Sequence, residues 1–290
     1  MSLGPYASRA GRGELALGVP MFVVFGENGS ARSARRDQPG EDGAAIRSVM
    51  DAAWVWLDDR EPGNAEMLAG FAGARGAREV FVSVPWRGPD QRVVETVAAM
   101  RRAGLRVSAL GGSGEWAKQP QLAREWSVRA TAGGLFDDMH LDIEPWTLPN
   151  WPASGAALLA GLAQAAALVS ATTGLSVDVD LAPHLAHTHP AGFAEVVASA
   201  DAVTLMSYRD TVQDVLAVST QARRSLTRLG RRYRLAVDTL PSGDPGTSFA
   251  GHSRCEMELV VAGIGELLRG ERDFAGVVVH DLLGWRSLPP

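Results

Sequence analysis

From residue 51 onward the chain alternates short apolar runs, rich in β-branched residues, with longer segments whose apolar positions recur every three or four residues. The short runs are Ala52–Leu57, Glu79–Trp86, Arg106–Gly112, Asp138–Pro145, Leu175–Pro183, Ala202–Tyr208, Arg234–Pro241 and Gly276–Leu282. Each reads as a strand. Between them lie helix-length patterns such as Val93–Gly104 and Ser154–Gly174. Gly76, Gly104, Gly174 and Gly230 stand where a helix C-terminus favours a left-handed residue. Eight strand–helix units in about 240 residues predict an α/β fold, a (β/α)8 TIM barrel with parallel strands and an N-terminal extension. A doubly wound open sheet is the rival. It usually carries a glycine fingerprint after its first strand, whereas here LDDREPGN (Leu57–Asn64) follows.

The first 50 residues read differently. ENGSARSARRDQPGEDGA (Glu27–Ala44) is polar and without apolar periodicity, so residues 1–50 are expected to form a partly irregular arm and residues 51–290 the barrel. LGVPMFVVFG (Leu17–Gly26) could serve as the apolar core of an export signal. Glu14 just ahead of it and the lack of a small-residue cleavage site favour a strand or docking segment, and with it a cytoplasmic location.

Composition narrows the function classes. The 290 residues are 46% apolar and 21% charged, ordinary for an enzyme-sized globular chain. The single cysteine, Cys255, excludes an intramolecular disulfide framework and a paired-cysteine metal or redox site. A net charge of −5 does not favour nucleic acid or an anionic membrane as partner. No apolar run is expected to reach the 18 or so residues that cross a bilayer. All basic residues but Lys118 are arginine, a skew best ascribed to codon usage.

Eight tryptophans against three tyrosines are less ordinary. Trp54, Trp56, Trp86, Trp116, Trp146, Trp151 and Trp285 fall on or just after predicted strands, and only Trp126 lies within a predicted helix. Barrel chemistry sits at the C-terminal ends of strands, and indoles stack on sugar rings, so the set suggests a carbohydrate groove. The alternative is that two or three simply plug the barrel or seal loops, which is expected of Trp54 or Trp56.

The fourth strand carries the candidate chemistry. Alternation puts His140, Asp142 and Glu144 on one face, with Leu141 and Ile143 on the other. Three ionisable groups inside a barrel are costly without a partner or a function. Asp142 and Glu144, roughly 6–7 Å apart at Cα, can approach closely enough for one carboxyl to be held protonated. General acid catalysis needs such a group, although a structural ion-pair network uses the same residues.

FDDMHLDIEP (Phe136–Pro145) resembles the DxxDxDxE strand-four signature of glycoside hydrolase family 18, the chitinase-like barrels. Asp137, Asp142 and Glu144 match, and His140 stands at the remaining acidic position. ALGGSGEW (Ala109–Trp116) is similar to the family's SxGG segment and MSYRD (Met206–Asp210) to its MxYD segment. Trp285 lies near the place of a strand-eight tryptophan. The resemblance implies substrate-assisted hydrolysis of an N-acetylhexosamine glycoside. Glu144 would then protonate the glycosidic oxygen, Asp142 would orient the 2-acetamido group, Tyr208 would bond its oxygen, and Trp285 would floor the subsite. His140 would tune Asp142, and Arg209 replaces the aspartate of MxYD. Trp56, Trp86, Trp116, Trp146, Asp180, Met206, Arg209, Asp238 and His280 complete the expected substrate-binding set.

A rival chemistry uses a divalent metal held by His140, Glu144, Asp180 and His280, with HLAHTH (His184–His189) nearby. Against it, the first strand reads WVW rather than HxH, and no metal or other cofactor is expected. Three readings follow. The first is a glycosidase on a glycan or small glycoside. The second is a non-catalytic sugar-binding barrel, which retention of Glu144 disfavours. The third is a barrel hydrolase of another substrate class. Nothing in the chain fixes oligomeric state.

Overall fold

The computed structural model describes residues 50–57 and 64–290, so the expected N-terminal arm lies outside the described residues but for Met50. Eight parallel strands close into a barrel, β1 pairing with both β2 and β8. They are β1 (Met50–Val55), β2 (Glu79–Ser83), β3 (Arg106–Gly111), β4 (Asp138–Leu141), β5 (Val177–Leu181), β6 (Ala202–Met206), β7 (Arg232–Asp238) and β8 (Phe274–His280). The helices are α1 (Ala65–Ala74), α2 (Gln91–Arg102), α3 (Pro120–Thr131), α4 (Trp151–Thr173), α5 (Leu185–Thr188), α6 (Pro190–Ser199), α7 (Val212–Arg228), α8 (Arg254–Leu268) and α9 (Leu282–Ser287). The barrel predicted from the alternation is therefore the fold.

Local chemistry explains the element boundaries. Helix α2 buries Val93, Val97 and Met100, one stripe at helical spacing, and Asp90 caps it by accepting the Val93 N–H. Gly76, Gly104, Gly174 and Gly230 all have positive φ, as their place after helices led one to expect. In α8 the Ser253 and Glu256 side chains reciprocally cap the first turn. The expectation of no membrane-length apolar stretch is corrected by α4. It runs 23 residues without a charge, and its most apolar window has a mean hydropathy of 1.6. Half of that window is buried in the fold, where α4 packs against α3 and α6.

Strand alternation separates two cores. Leu141, Ile143, Val177, Val179 and Val203 point outward into the large helix–sheet core. Ala52, Trp54, Phe81, Leu110, Ala236 and Val278 point inward and pack on one another, with Trp56 and Tyr208 above them. Polar groups occupy the rest of the interior. At the N-terminal end of the strands, buried Arg234 donates to Asp51, Glu79 and Asp178; Ser108 bonds Glu79 and Thr204 bonds Asp178. A guanidinium offers five N–H groups in a planar fork, so one arginine can serve three carboxylates.

Candidate active site

Strand β4 ends at Leu141, earlier than the run to Pro145 predicted, yet its alternation persists beyond the last pairing. The Asp142 N–H still donates to the Gly111 carbonyl (3.1 Å), Ile143 is buried outward, and a single 3-10 turn, Pro145–Thr147, follows Glu144. The GG pair after Leu110 makes this possible. A Cβ on Gly112 would lie 1.7 Å from the Asp142 carbonyl oxygen, and one on Gly111 would lie 2.3 Å from the Trp126 ring. Only glycine lets the ends of β3 and β4 approach so closely.

Asp142 and Glu144 thus stand side by side at the C-terminal rim. Glu144 accepts the indole N–H of Trp146 at 3.1 Å. The Oδ1 of Asp142 is sheltered from solvent and has no hydrogen-bond partner among the described residues. Burial, then the negative charges of Glu144 and Asp180, push the Asp142 carboxyl well above the usual range. Burial and the Asp180 charge raise Glu144 too, with the Trp146 hydrogen bond opposing. Both carboxyls therefore hold protons more tightly than free ones do.

The charge of His140 opposes the rise of Asp142, as expected of a neighbouring histidine, but burial outweighs it and the ring's contacts lie elsewhere. Its Nε2 lies 2.9 Å from Asp180 Oδ2 and its Nδ1 3.6 Å from Asp178 Oδ2, both on β5. The ring is fully buried, stacked on Phe81 (centroids 3.7 Å apart, planes at 13°) and edge-on to Trp54. Burial alone would lower its pKa, but the Asp180 charge and the neighbouring Asp178 outweigh that and raise it to about 10. His140 therefore lies beneath the rim rather than on it.

Across the mouth, Asp238 and His280 are register partners on β7 and β8. His280 Nδ1 lies 2.9 Å from Asp238 Oδ1, and the Trp56 indole donates to His280 Nε2 at 3.0 Å. An indole nitrogen can only donate, so in this arrangement Nε2 accepts and Nδ1 carries the hydrogen. Burial opposes a charge on His280, but Asp238 overcomes this and raises its pKa. Protonation would cost the Trp56 bond. Tyr208 stacks on His280 at 5.8 Å, and burial plus the surrounding carboxylates hold its phenol neutral well beyond pH 10.

Several expected site residues lie elsewhere. Trp285 is fully buried outside the barrel, edge-on to Phe71 of α1 and donating to Glu258 at 3.3 Å, so it floors no subsite here; the inward position at the end of β8 belongs to His280. Trp116 is buried between Trp86 and Trp126, and exposed Trp86 lies under the Arg129 guanidinium. Trp151 packs at a tilt against His189. Of the tryptophans, Trp56 and Trp146 bond into the polar cluster, and Trp54 supports it from below. Arg209 donates to its own neighbour's carbonyl at Tyr208 (2.6 Å), and Asp210 pairs with His252. Met206 ends β6, partly buried. Asp137 accepts from Val107 N–H and Arg101, both structural contacts.

The four candidate metal ligands do not converge. His140 Nε2 faces Asp180, both His280 nitrogens are engaged, and among the described residues no group of three or more His, Cys, Asp and Glu side chains is arranged to hold a metal ion. A cavity of about 550 Å³ lies between α1 and α2, lined by Leu68, Arg92 and Glu95 among others, apart from the rim carboxylates. Sequence reasoning missed Arg234 as the anchor of the inner network. Its signal was the even spacing of Arg234, Ala236 and Asp238, which puts all three on one strand face.

No protein-family model matches the chain, and no curated protein matches it. Solved structures do match its fold. The glycoside hydrolase domain of PgaB (BpsB) from Bordetella bronchiseptica aligns with a TM-score of 0.52 at 11% identity, over 81% of this chain and 95% of that one. The spore cortex-lytic enzyme SleL from Bacillus megaterium QM B1551 aligns at 0.54 and 13%, over 82% and 72%. A family 18 chitinase from Cycas revoluta, in complex with (GlcNAc)3, aligns at 0.52 and 10%, over 81% and 95%. The barrel is similar to those of family 18 chitinases and other glycoside hydrolases, a likeness of fold.

Proposed function

We propose that the protein is a glycoside hydrolase-like enzyme acting on a glycan or small glycoside, with Glu144 as general acid and Asp142 as the orienting carboxylate. The observation that carries this reading is the pair itself. Two adjacent rim carboxyls, both with raised proton affinity, lie beside Trp146 and face a neutral tyrosine. A carboxylic acid that stays protonated towards neutral pH can donate to a leaving glycosidic oxygen as the C1–O bond breaks.

An N-acetylhexosamine is the substrate that the family 18 resemblance implies. In that chemistry the acetamido oxygen attacks C1 as the leaving group departs with the Glu144 proton. Asp142 accepts the acetamido N–H, and Tyr208 donates to the acetamido oxygen. Water then opens the resulting ring, returning a proton to Glu144. The (GlcNAc)3 bound by the Cycas revoluta chitinase supports carbohydrate as the substrate class. Trp56 and Trp146 offer the indole faces for it.

A panel of chromogenic glycosides with and without the 2-acetamido group tests the proposal. Hydrolysis of N-acetylhexosaminides, lowered about 10²-fold or more by Glu144→Gln with ligand binding retained, is the expected result. Turnover untouched by Glu144→Gln would remove Glu144 from the mechanism. Cleavage of plain glucosides alone would exclude the acetamido-assisted route.

A further inference from the structure

A chain of polar contacts runs up the inside of the barrel. Arg234 donates to Asp178, His140 sits between Asp178 and Asp180, and the charge of Asp180 is felt by Asp142 and Glu144. His140 and Asp180 are both fully buried. A neutral imidazole has one N–H and one lone pair, so between two carboxylates it would aim a lone pair at an oxygen. Asp178 is fixed as an anion by Arg234 and Thr204. The Nδ1 contact with Asp178, at 3.6 Å, is longer than a hydrogen bond, and a proton on Nδ1 makes it an attractive ion pair rather than a repulsive one.

We propose that His140 is a positioning residue: an imidazolium locked between Asp178 and Asp180, it clamps Asp180 as a negative charge beside the rim pair, and that charge keeps the working proton on Glu144. The role of Glu144 rests on the functional reading above, but the clamp does not. Geometry supports the direction of influence. The hydrogen bond from His140 goes to Asp180, and the Phe81 stack leaves the ring no other orientation toward the rim. The Oδ1 of Asp180 is likewise sheltered and without a hydrogen-bond partner among the described residues, so besides His140 only the more distant charge of His280 favours the anion. The charged or titratable groups around the pair are Asp178 on β5, Asp142 and Glu144 after β4, Tyr208 after β6, Arg234 on β7 and His280 on β8; β1 and β2 present the rings of Trp54 and Phe81. Burial already raises the Asp180 carboxyl against the pull of His140, and without His140 it would rise further and give up its charge more readily. His140→Gln and Asp180→Asn should then have the same consequence at Glu144.

The test is a titration of the full chain, needing no substrate. Imidazole nitrogen NMR at pH 8 should find both His140 nitrogens protonated, and carboxyl carbon NMR should find the Glu144 midpoint about one pH unit lower in Asp180→Asn and in His140→Gln alike. A bare nitrogen on His140 at pH 8 would overturn the clamp. So would a Glu144 midpoint that moves in Asp180→Asn but stays put in a folded His140→Gln. Should His140→Gln not fold, the nitrogen signal of the wild type and the Asp180→Asn shift decide the matter, and either one absent rejects the proposal. Where a glycoside is cleaved, the alkaline limb of the kcat/KM profile should fall by the same amount; a merely structural histidine would lower kcat without moving it. Loss of the hydrolytic reading, with the NMR result intact, would leave the clamp standing.

Discussion

The two ends of the barrel interior use the same residue types to opposite effect. At the N-terminal end, Asp51, Glu79 and Asp178 surround one arginine. At the C-terminal rim, Asp142, Glu144 and Asp180 crowd together with His140 beneath and His280 across. Burial opposes ionisation at both ends. Below, the contact with His140 and the charge of Arg234 overcome it and hold Asp178 down at about 2. Above, no arginine among the described residues bonds the pair and burial wins, so Asp142 and Glu144 rise. Pairing decides whether a buried carboxyl is an anchor or an acid.

Removing the arginine should break the contrast most severely. Arg234→Met leaves three buried carboxylates without their shared partner, and urea unfolding should show a loss of about 3–5 kcal/mol. Acid should dismantle the same end next. The Asp178 pKa is lower in the fold than its ordinary 3.8, so its contribution, about 2 kcal/mol, is present above pH 4 and lost as pH falls towards 2. Asp178→Asn should remove that part of the acid transition. The rim should answer with the opposite sign. Raised carboxyls penalise the fold above their unfolded pKa, so Glu144→Gln should raise stability at pH 7 by about 0.5–2 kcal/mol while lowering turnover about 10²-fold or more. That gain should vanish near pH 4, as calorimetry at the two pH values would show. The smallest effect belongs to Trp56→Phe. It deletes the donor to His280 Nε2, a bond worth about 1 kcal/mol, and so should ease protonation and move the His280 titration upward by somewhat under one pH unit.

The sequence made the barrel legible because its two periodicities alternate cleanly and glycines mark the helix ends. The rim carboxylates were legible for the same reason: alternation along one strand places Asp142 and Glu144 whatever the rest of the chain does. The tryptophans were not. Trp285 and Trp116 stand a few residues beyond strand ends, and nothing in their position along the chain says which way the backbone turns next. Helix α9 carries Trp285 back onto α1, and the 3-10 turn Gly114–Ala117 presses Trp116 against Trp126. The partners of His140 were hidden too. Its neighbours come from β5, and which strand-five acid faces it depends on register, His140 pairing with Asp178 and standing next to Asp180.

Helix α4 carries a consequence for how the molecule is made. Its 23 uncharged residues emerge in synthesis before β5 to β8 exist, and the sheet that shelters them closes only when β8 meets β1. For that interval a membrane-length apolar helix is covered on few sides, and its contacts across the barrel are late ones by topology. The nascent chain is therefore most vulnerable to self-association, or to capture by a holdase, between the appearance of residue 173 and the closing of the barrel.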